Sequence, residues 1–134
     1  MHDHCSYDYA IVRVVPRVER QEFINIGAIV SCPTKNFLEA RIELDEARLK
    51  AFDATLDIEA IRLHANSILA ICAGGPDSGP IGKLTQRERF HWLIAPRSTV
   101  IQMSPGHSGR CAEPNAALEH LLEKMVRPIR NVKS

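Results

Sequence analysis

The chain has 134 residues, 45% of them hydrophobic and 25% charged, with a formal net charge of +1. This is ordinary globular composition at a length that suits one domain, since compact domains most often hold roughly 100–150 residues. Near-zero net charge excludes a global field that would draw in nucleic acid or an anionic membrane, and no apolar run approaches the ~20 residues of a membrane span.

The opening MHDHCSYDYA has no basic stretch followed by an apolar run, so a cytoplasmic protein is expected, with residues 1–6 and 128–134 as flexible ends of a single α+β domain. Cys5, Cys32, Cys72 and Cys111 are widely spaced and form no Cys-x-x-Cys pair, which predicts free thiols. Cys32 and Cys72 sit in apolar runs and read as small core residues.

Residues 7–15 are mostly β-branched or aromatic, and Pro16 ends them, because proline donates no ladder hydrogen bond. A second strand is predicted over 24–31. Its two-residue period puts Ile24, Ile26, Ala28 and Val30 on one face and Asn25, Gly27, Ile29 and Ser31 on the other. After a turn at Cys32-Pro33-Thr34-Lys35-Asn36, residues 37–44 alternate cleanly, with Leu38, Ala40, Ile42 and Leu44 inward. Short links between three successive strands favour an antiparallel meander.

Asp45 is placed to cap a short helix to about Phe52. Asp57 does the same for a longer one in which Ile58, Ile61, Ala65, Ile68, Leu69 and Cys72 recur at helical spacing. Gly74-Gly75 ends that helix, and residues 74–82 read as a flexible loop or lid. Thr85-Gln86-Arg87-Glu88 matches a capping box and predicts a helix to about Ile94, closed by Pro96. Phe90 and Trp92 on it are expected to pack the core. Thr99 to Met103 is a fourth strand, 104–113 an irregular loop, and Pro114 opens a helix with Leu118, Leu121, Leu122 and Met125 as its apolar stripe. The tail from Arg127 is expected to fray. The fold class is therefore α+β, a mainly antiparallel four-stranded sheet with helices on one face.

Two polar clusters are candidate ligand sites. One is the connection after the first strand, with Arg13, Arg17, Glu19, Arg20, Glu22 and Asn25. The other is Arg97 and Ser98 followed by Gln102, Ser104 and His107. Arginine forks beside hydroxyls suit phosphate or carboxylate, because the guanidinium is bidentate and always charged. The alternative is that these arginines pair with neighbouring glutamates on a solvated face. The two clusters are expected to lie near one another. His107 and Cys111, four apart, suggest a thiol activated by an imidazole. His2, His4 and Cys5 suggest a weak metal grip, short of the four ligands a structural site needs, so no metal or other cofactor is expected. Gly82-Lys83-Leu84 fails the phosphate-loop motif, which requires Ser or Thr after the lysine.

The blocks YAIVRVVPRVERQEFINIGAIV, FLEARIELDEARLKAF and ERFHWLIAPRSTVIQMSPGHSG, in that order over residues 9–126, resemble the bacterial family catalogued as domain of unknown function 3037. The resemblance marks Arg13, Arg17, Glu19, Arg20, Glu22, Phe23, Asn25, Gly27 and the run 95–104 as signature positions, with His107 in a Pro-x-His-x-Gly turn. It carries no catalytic residue. It implies a kinase of the HipA type as a partner. The leading expectation is a non-catalytic accessory or protein-interaction module. The alternatives are a binding module or enzyme for a phosphorylated ligand, nucleotide or nucleic acid using the arginines, and a hydrolase or transferase using His107.

Overall fold

The computed structural model describes residues 4–97 and 99–129, so Ser98 and His2 lie outside the described residues. Strand β1 (Cys5–Val14) is central. On one side it pairs with β2 (Ile24–Cys32), which in turn carries the edge strand β3 (Phe37–Ile42). On its other side it pairs with β4 (Ile101–Met103) and β5 (His107–Cys111), and every pairing is antiparallel. The helices are α1 (Glu46–Phe52), α2 (Ile58–Ala73), the single turn α3 (Gly79–Gly82), α4 (Gln86–Ile94) and α5 (Pro114–Leu121).

The local signals behave as their chemistry requires. The Asp45 carboxylate accepts from the Arg48 amide and the Asp57 carboxylate from the Ala60 amide, each at 3.1 Å. Thr85 and Glu88 close a reciprocal capping box, so the first amides of α4 are not left without acceptors. Among the described residues no helix is long and apolar enough to cross a membrane.

The α+β class holds, with two corrections. The sheet has a fifth strand, because residues 107–111, expected as loop, pair with β1 from Tyr9 opposite His107 to Cys5 opposite Cys111. This pairing also orders Cys5 and Ser6. Helices cover both faces rather than one. Val12, Val14, Ile26 and Ile29 face α1, α2 and α4 through Leu49, Ile61, Ile68 and Leu93, whereas Ile11, Ala28 and Val30 face α5 through Leu118 and Leu121 and the residue after it, Leu122.

The physical reason is a β-bulge. Val12 sits opposite Gly27, but Arg13 sits opposite Asn25, so β2 carries one extra residue at Ile26. The extra residue breaks the two-residue period. Ile24 and Ile26 point to the α2 face, and Ala28 and Val30 point to the α5 face. With residues 26–32 all buried, β2 needs cover on both sides.

The segment 74–82 is tied down rather than left as a lid. It forms a 3-10 turn at Pro76–Ser78 followed by α3, with the Ser78 hydroxyl donating to Gly75 O at 2.6 Å. Arg89 donates to Ile71 O at 2.9 Å and Cys72 O at 2.7 Å, satisfying carbonyls at the end of α2, and to Leu84 O at 3.1 Å just ahead of α4. Cys32 and Cys72 are buried as expected, and burial pushes the Cys72 thiol up to about 12.

After α5 the chain makes one π turn, Leu122–Val126, closed by the Arg127 amide on Leu122 O at 2.9 Å. Arg127 does not begin a frayed tail. Its guanidinium pairs with Glu43 and Glu123, each at 2.9 Å, and with Glu119, which also holds Arg41 at 2.9 Å. These contacts pin the end of β3 to α5. The hydrogen bonds from Arg127 hold the Glu43 and Glu119 carboxyls below the usual carboxylate value. A carboxyl depressed in the folded state stabilises above its unfolded pKa and stops doing so as the pH falls through its folded pKa. The melting temperature is thus expected to fall below about pH 4, where glutamate protonates. In Arg127→Gln, unfolding scans across pH 3 to 7 should show part of that dependence gone; an unchanged profile would place the acid sensitivity elsewhere.

Candidate functional site

The connection between β1 and β2 is a single 3-10 turn, Val18–Arg20, closed by Gln21 in the left-handed region at φ 55°. Arg17, Arg20 and Glu22 border a depression of about 280 Å³ completed by Pro16, Phe52 and Asp53. Arg20 pairs with Glu22 at 2.6 Å and Arg17 with Asp53 at 3.4 Å. Asp53 follows α1, far from this connection in sequence, and sequence reasoning missed it. Its carboxyl is held low chiefly by the Thr55 hydroxyl and amide, with Arg17 contributing less. Glu22 is held low by its hydrogen bond from Arg20. Glu19 is exposed on the turn. The depression thus presents two guanidinium groups already matched by two carboxylates, and the exposed Arg20–Glu22 pair is of the kind that solvent weakens most.

Arg13 differs from these. It lies on β1 between Asn25 of β2 and Gln102 of β4, and its guanidinium stacks 4.0 Å from the centre of the Phe23 ring. Among the described residues no carboxylate pairs with it, its buried Nε finds no acceptor, and partial burial pulls its pKa down. Asn25 donates to Met125 O at 2.9 Å, and its own buried Oδ1 has no donor among the described residues. Phe23 and Met125 are each 44% exposed. The arrangement is a cation on an aromatic ring, with apolar surface beside it.

The second cluster is built differently from expectation. Arg97 donates to Trp92 O at 2.7 Å and to Leu93 O and Ala95 O at 3.2 Å, while its guanidinium lies 4.1 Å from the Trp92 ring centre. It closes the C-terminus of α4, where carbonyls lack partners and a positive charge is favoured. Trp92 is 40% exposed beneath it, so of the two aromatics on α4 only Phe90 fills the core. Burial and the nearby Arg97 charge lower the His64 pKa. Gln102 donates to Thr99 O at 3.0 Å.

Ser104 holds the sheet together. The Ile11 amide donates to its Oγ, and its own amide donates to Ile11 O, both at 2.8 Å, across the gap between β4 and β5. His107 packs against Tyr9 with ring centres 5.3 Å apart. It does not reach Cys111, because four residues of extended strand span about 13 Å, so the His107 imidazole does not activate that thiol. The Pro105 to Gly109 segment is a strand entry rather than a turn, and a Cβ on Gly109 would stand 2.7 Å from the Tyr7 ring that covers it. Among the described residues no group of three His, Cys, Asp or Glu side chains is placed to hold a metal.

The two arginine clusters lie at one end of the sheet, since Val14 pairs with Ile101 and the Val15 amide donates to Val100 O at 2.7 Å. They nevertheless open into separate depressions that share no lining residue. No curated protein and no solved structure matches the chain. The family described as protein of unknown function (DUF3037) matches residues 9–126, from β1 through the π turn and across both arginine clusters, and the chain belongs to that family.

Proposed function

We propose that the protein is a non-catalytic accessory module that docks on a partner protein through Arg13 and Phe23. The observation that carries this reading is the Arg13 guanidinium, which no carboxylate meets among the described residues, stacked on a half-exposed ring. Arg17, Arg20, Arg41, Arg62 and Arg127 meet carboxylates, and Arg48, Arg89 and Arg97 meet backbone carbonyls. Of the arginines in the two candidate clusters, Arg13 is the one that, among the described residues, meets neither, which suits it to an acidic side chain of a partner, and Phe23 and Met125 supply apolar area for the partner to cover. Aromatic and arginine anchors of this type dominate interface energies.

The partner that the family resemblance implies, a HipA-type kinase, is the first to test. Arg13→Met keeps the apolar stem and removes the charge, and Phe23→Ala removes the platform. Each is expected to weaken kinase binding by about 30-fold in titration calorimetry, equivalent to about 2 kcal/mol at one interface anchor. Variants that bind as tightly as wild type would remove this surface from the reading.

A second reading, binding of a phosphorylated ligand, draws on Arg17 and Arg20, the latter in an exposed ion pair weak enough for a dianion to displace. It requires a rise in melting temperature with inorganic phosphate or a nucleotide that Arg20→Ala abolishes.

A further inference from the structure

The register of β5 against β1 sets Cys5 directly opposite Cys111. Opposed residues of an antiparallel pair have Cα atoms about 4.5 or 5.5 Å apart, according to whether the pair exchanges hydrogen bonds, and their side chains share a face. Both separations fall within the roughly 4.4–6.8 Å that a disulfide spans, so the backbone has no distance to travel. Cys5 and Cys111 are only partly buried, whereas Cys32 and Cys72 are buried. We propose that Cys5 and Cys111 form a thiol–disulfide site whose oxidant is a small disulfide of the glutathione class.

Cys5 loses its proton to solvent and its thiolate attacks one sulfur of glutathione disulfide. The sulfur–sulfur bond of the oxidant breaks, and one glutathione leaves as thiolate. Cys111 then ionises and attacks the Cys5 sulfur of the mixed disulfide, expelling the second glutathione. Two protein thiols are oxidised, one glutathione disulfide is reduced to two glutathiones, and the two protons pass through solvent to them. Burial, then the neighbouring Cys32 and Cys5 thiols, push the Cys111 thiol up, while the Lys35 ammonium pulls it down. A raised thiol is a poor first nucleophile and an adequate second one, because the second attack is intramolecular. Lys35 is held in place by donating to Ala112 O at 2.6 Å, one residue beyond Cys111.

The product staples β5, an edge strand, to the centre of the sheet. It also closes a loop that holds most of the chain, which constrains the unfolded state.

The test is to incubate the full chain with excess glutathione disulfide and count thiols after denaturation. The count is expected to fall from the four of the reduced chain to two. Proteolytic mapping should recover the Cys5 and Cys111 peptides joined, and Cys32→Ser should behave as wild type. Cys111→Ser should stop at a glutathione adduct on Cys5, and Cys5→Ser should form no disulfide within the chain and take up glutathione more slowly. The oxidised protein should melt about 5–10 °C higher, reversibly with dithiothreitol. Four surviving thiols, a linkage that includes Cys32, or glutathione adducts alone in the wild-type chain would each overturn the proposal.

Discussion

Replacing Gly27 by alanine is expected to cost about 3 kcal/mol and to lower the melting temperature by about 10 °C. A Cβ at this position would stand 2.4 Å from the Arg41 carbonyl oxygen, 2.9 Å from Ile42 Cγ1 and 3.0 Å from Ile42 Cα. Two of those atoms belong to the backbone of β3, so no rotamer change relieves the clash; the edge strand itself must move. That movement would pull at Ile42 and at the ladder from Gly27 opposite Ile42 to Cys32 opposite Phe37. Gly106→Ala is the control, because its Cβ would meet only the mobile end of Ile94 at 3.4 Å. Thermal unfolding of both variants decides the matter. If Gly27→Ala melts with Gly106→Ala and wild type, the close approach of β2 to β3 is wrong.

Gly27 also marks where reading the sequence stopped working. Caps are local chemistry, so Asp45, Asp57 and the Thr85/Glu88 box were legible from a few adjacent residues, as was the alternation of β3. A bulge is not local in this sense. Nothing in INIGAIVSC says which residue is the extra one, and a strict period carried through it inverts the faces of everything beyond Ile26. The glycine inside the strand was the available signal. β5 was invisible for a related reason: HSGRC has no β-branched residue, and it is a strand because β1 offers an unpaired edge and Tyr7 covers Gly109.

The candidate site was half legible. Arginine chemistry can be read from a sequence, but the choice of partner cannot, because backbone carbonyls are acceptors that no residue letter records. Arg97 and Arg89 both went to helix ends, and Arg17 found Asp53 only because α1 returns to the β1–β2 turn. Arg127 was taken by three glutamates from β3's end, α5 and the π turn. Of the arginines in the two candidate clusters, the one without such a partner among the described residues is Arg13, which sat in the first cluster from the start.

Ser104→Ala is expected to cost about 1–3 kcal/mol, the desolvation penalty of a buried amide left without its acceptor. For a chain of this size that lowers the melting temperature by roughly 3–10 °C. β4 ends at Met103 and β5 begins at His107, so the edge of β1 beside Ile11 would otherwise have no strand to bond. Ser104 fills that place alone. Its hydroxyl accepts from the Ile11 amide and donates to Pro105 O at 2.9 Å, and Ser104 and Ile11 are 3% and 2% exposed. Hydrogen exchange separates this from a general loosening: the Ile11 amide should lose protection beyond the fall in global stability, whereas its neighbours on β1 should follow that fall. The same variant bears on the ligand reading, because a serine whose hydroxyl contacts phosphate would be dispensable for folding. A Ser104→Ala protein that melts with wild type and keeps Ile11 protected would return the hydroxyl to that role; a destabilised one leaves it as the stitch between two short strands and the strand they share.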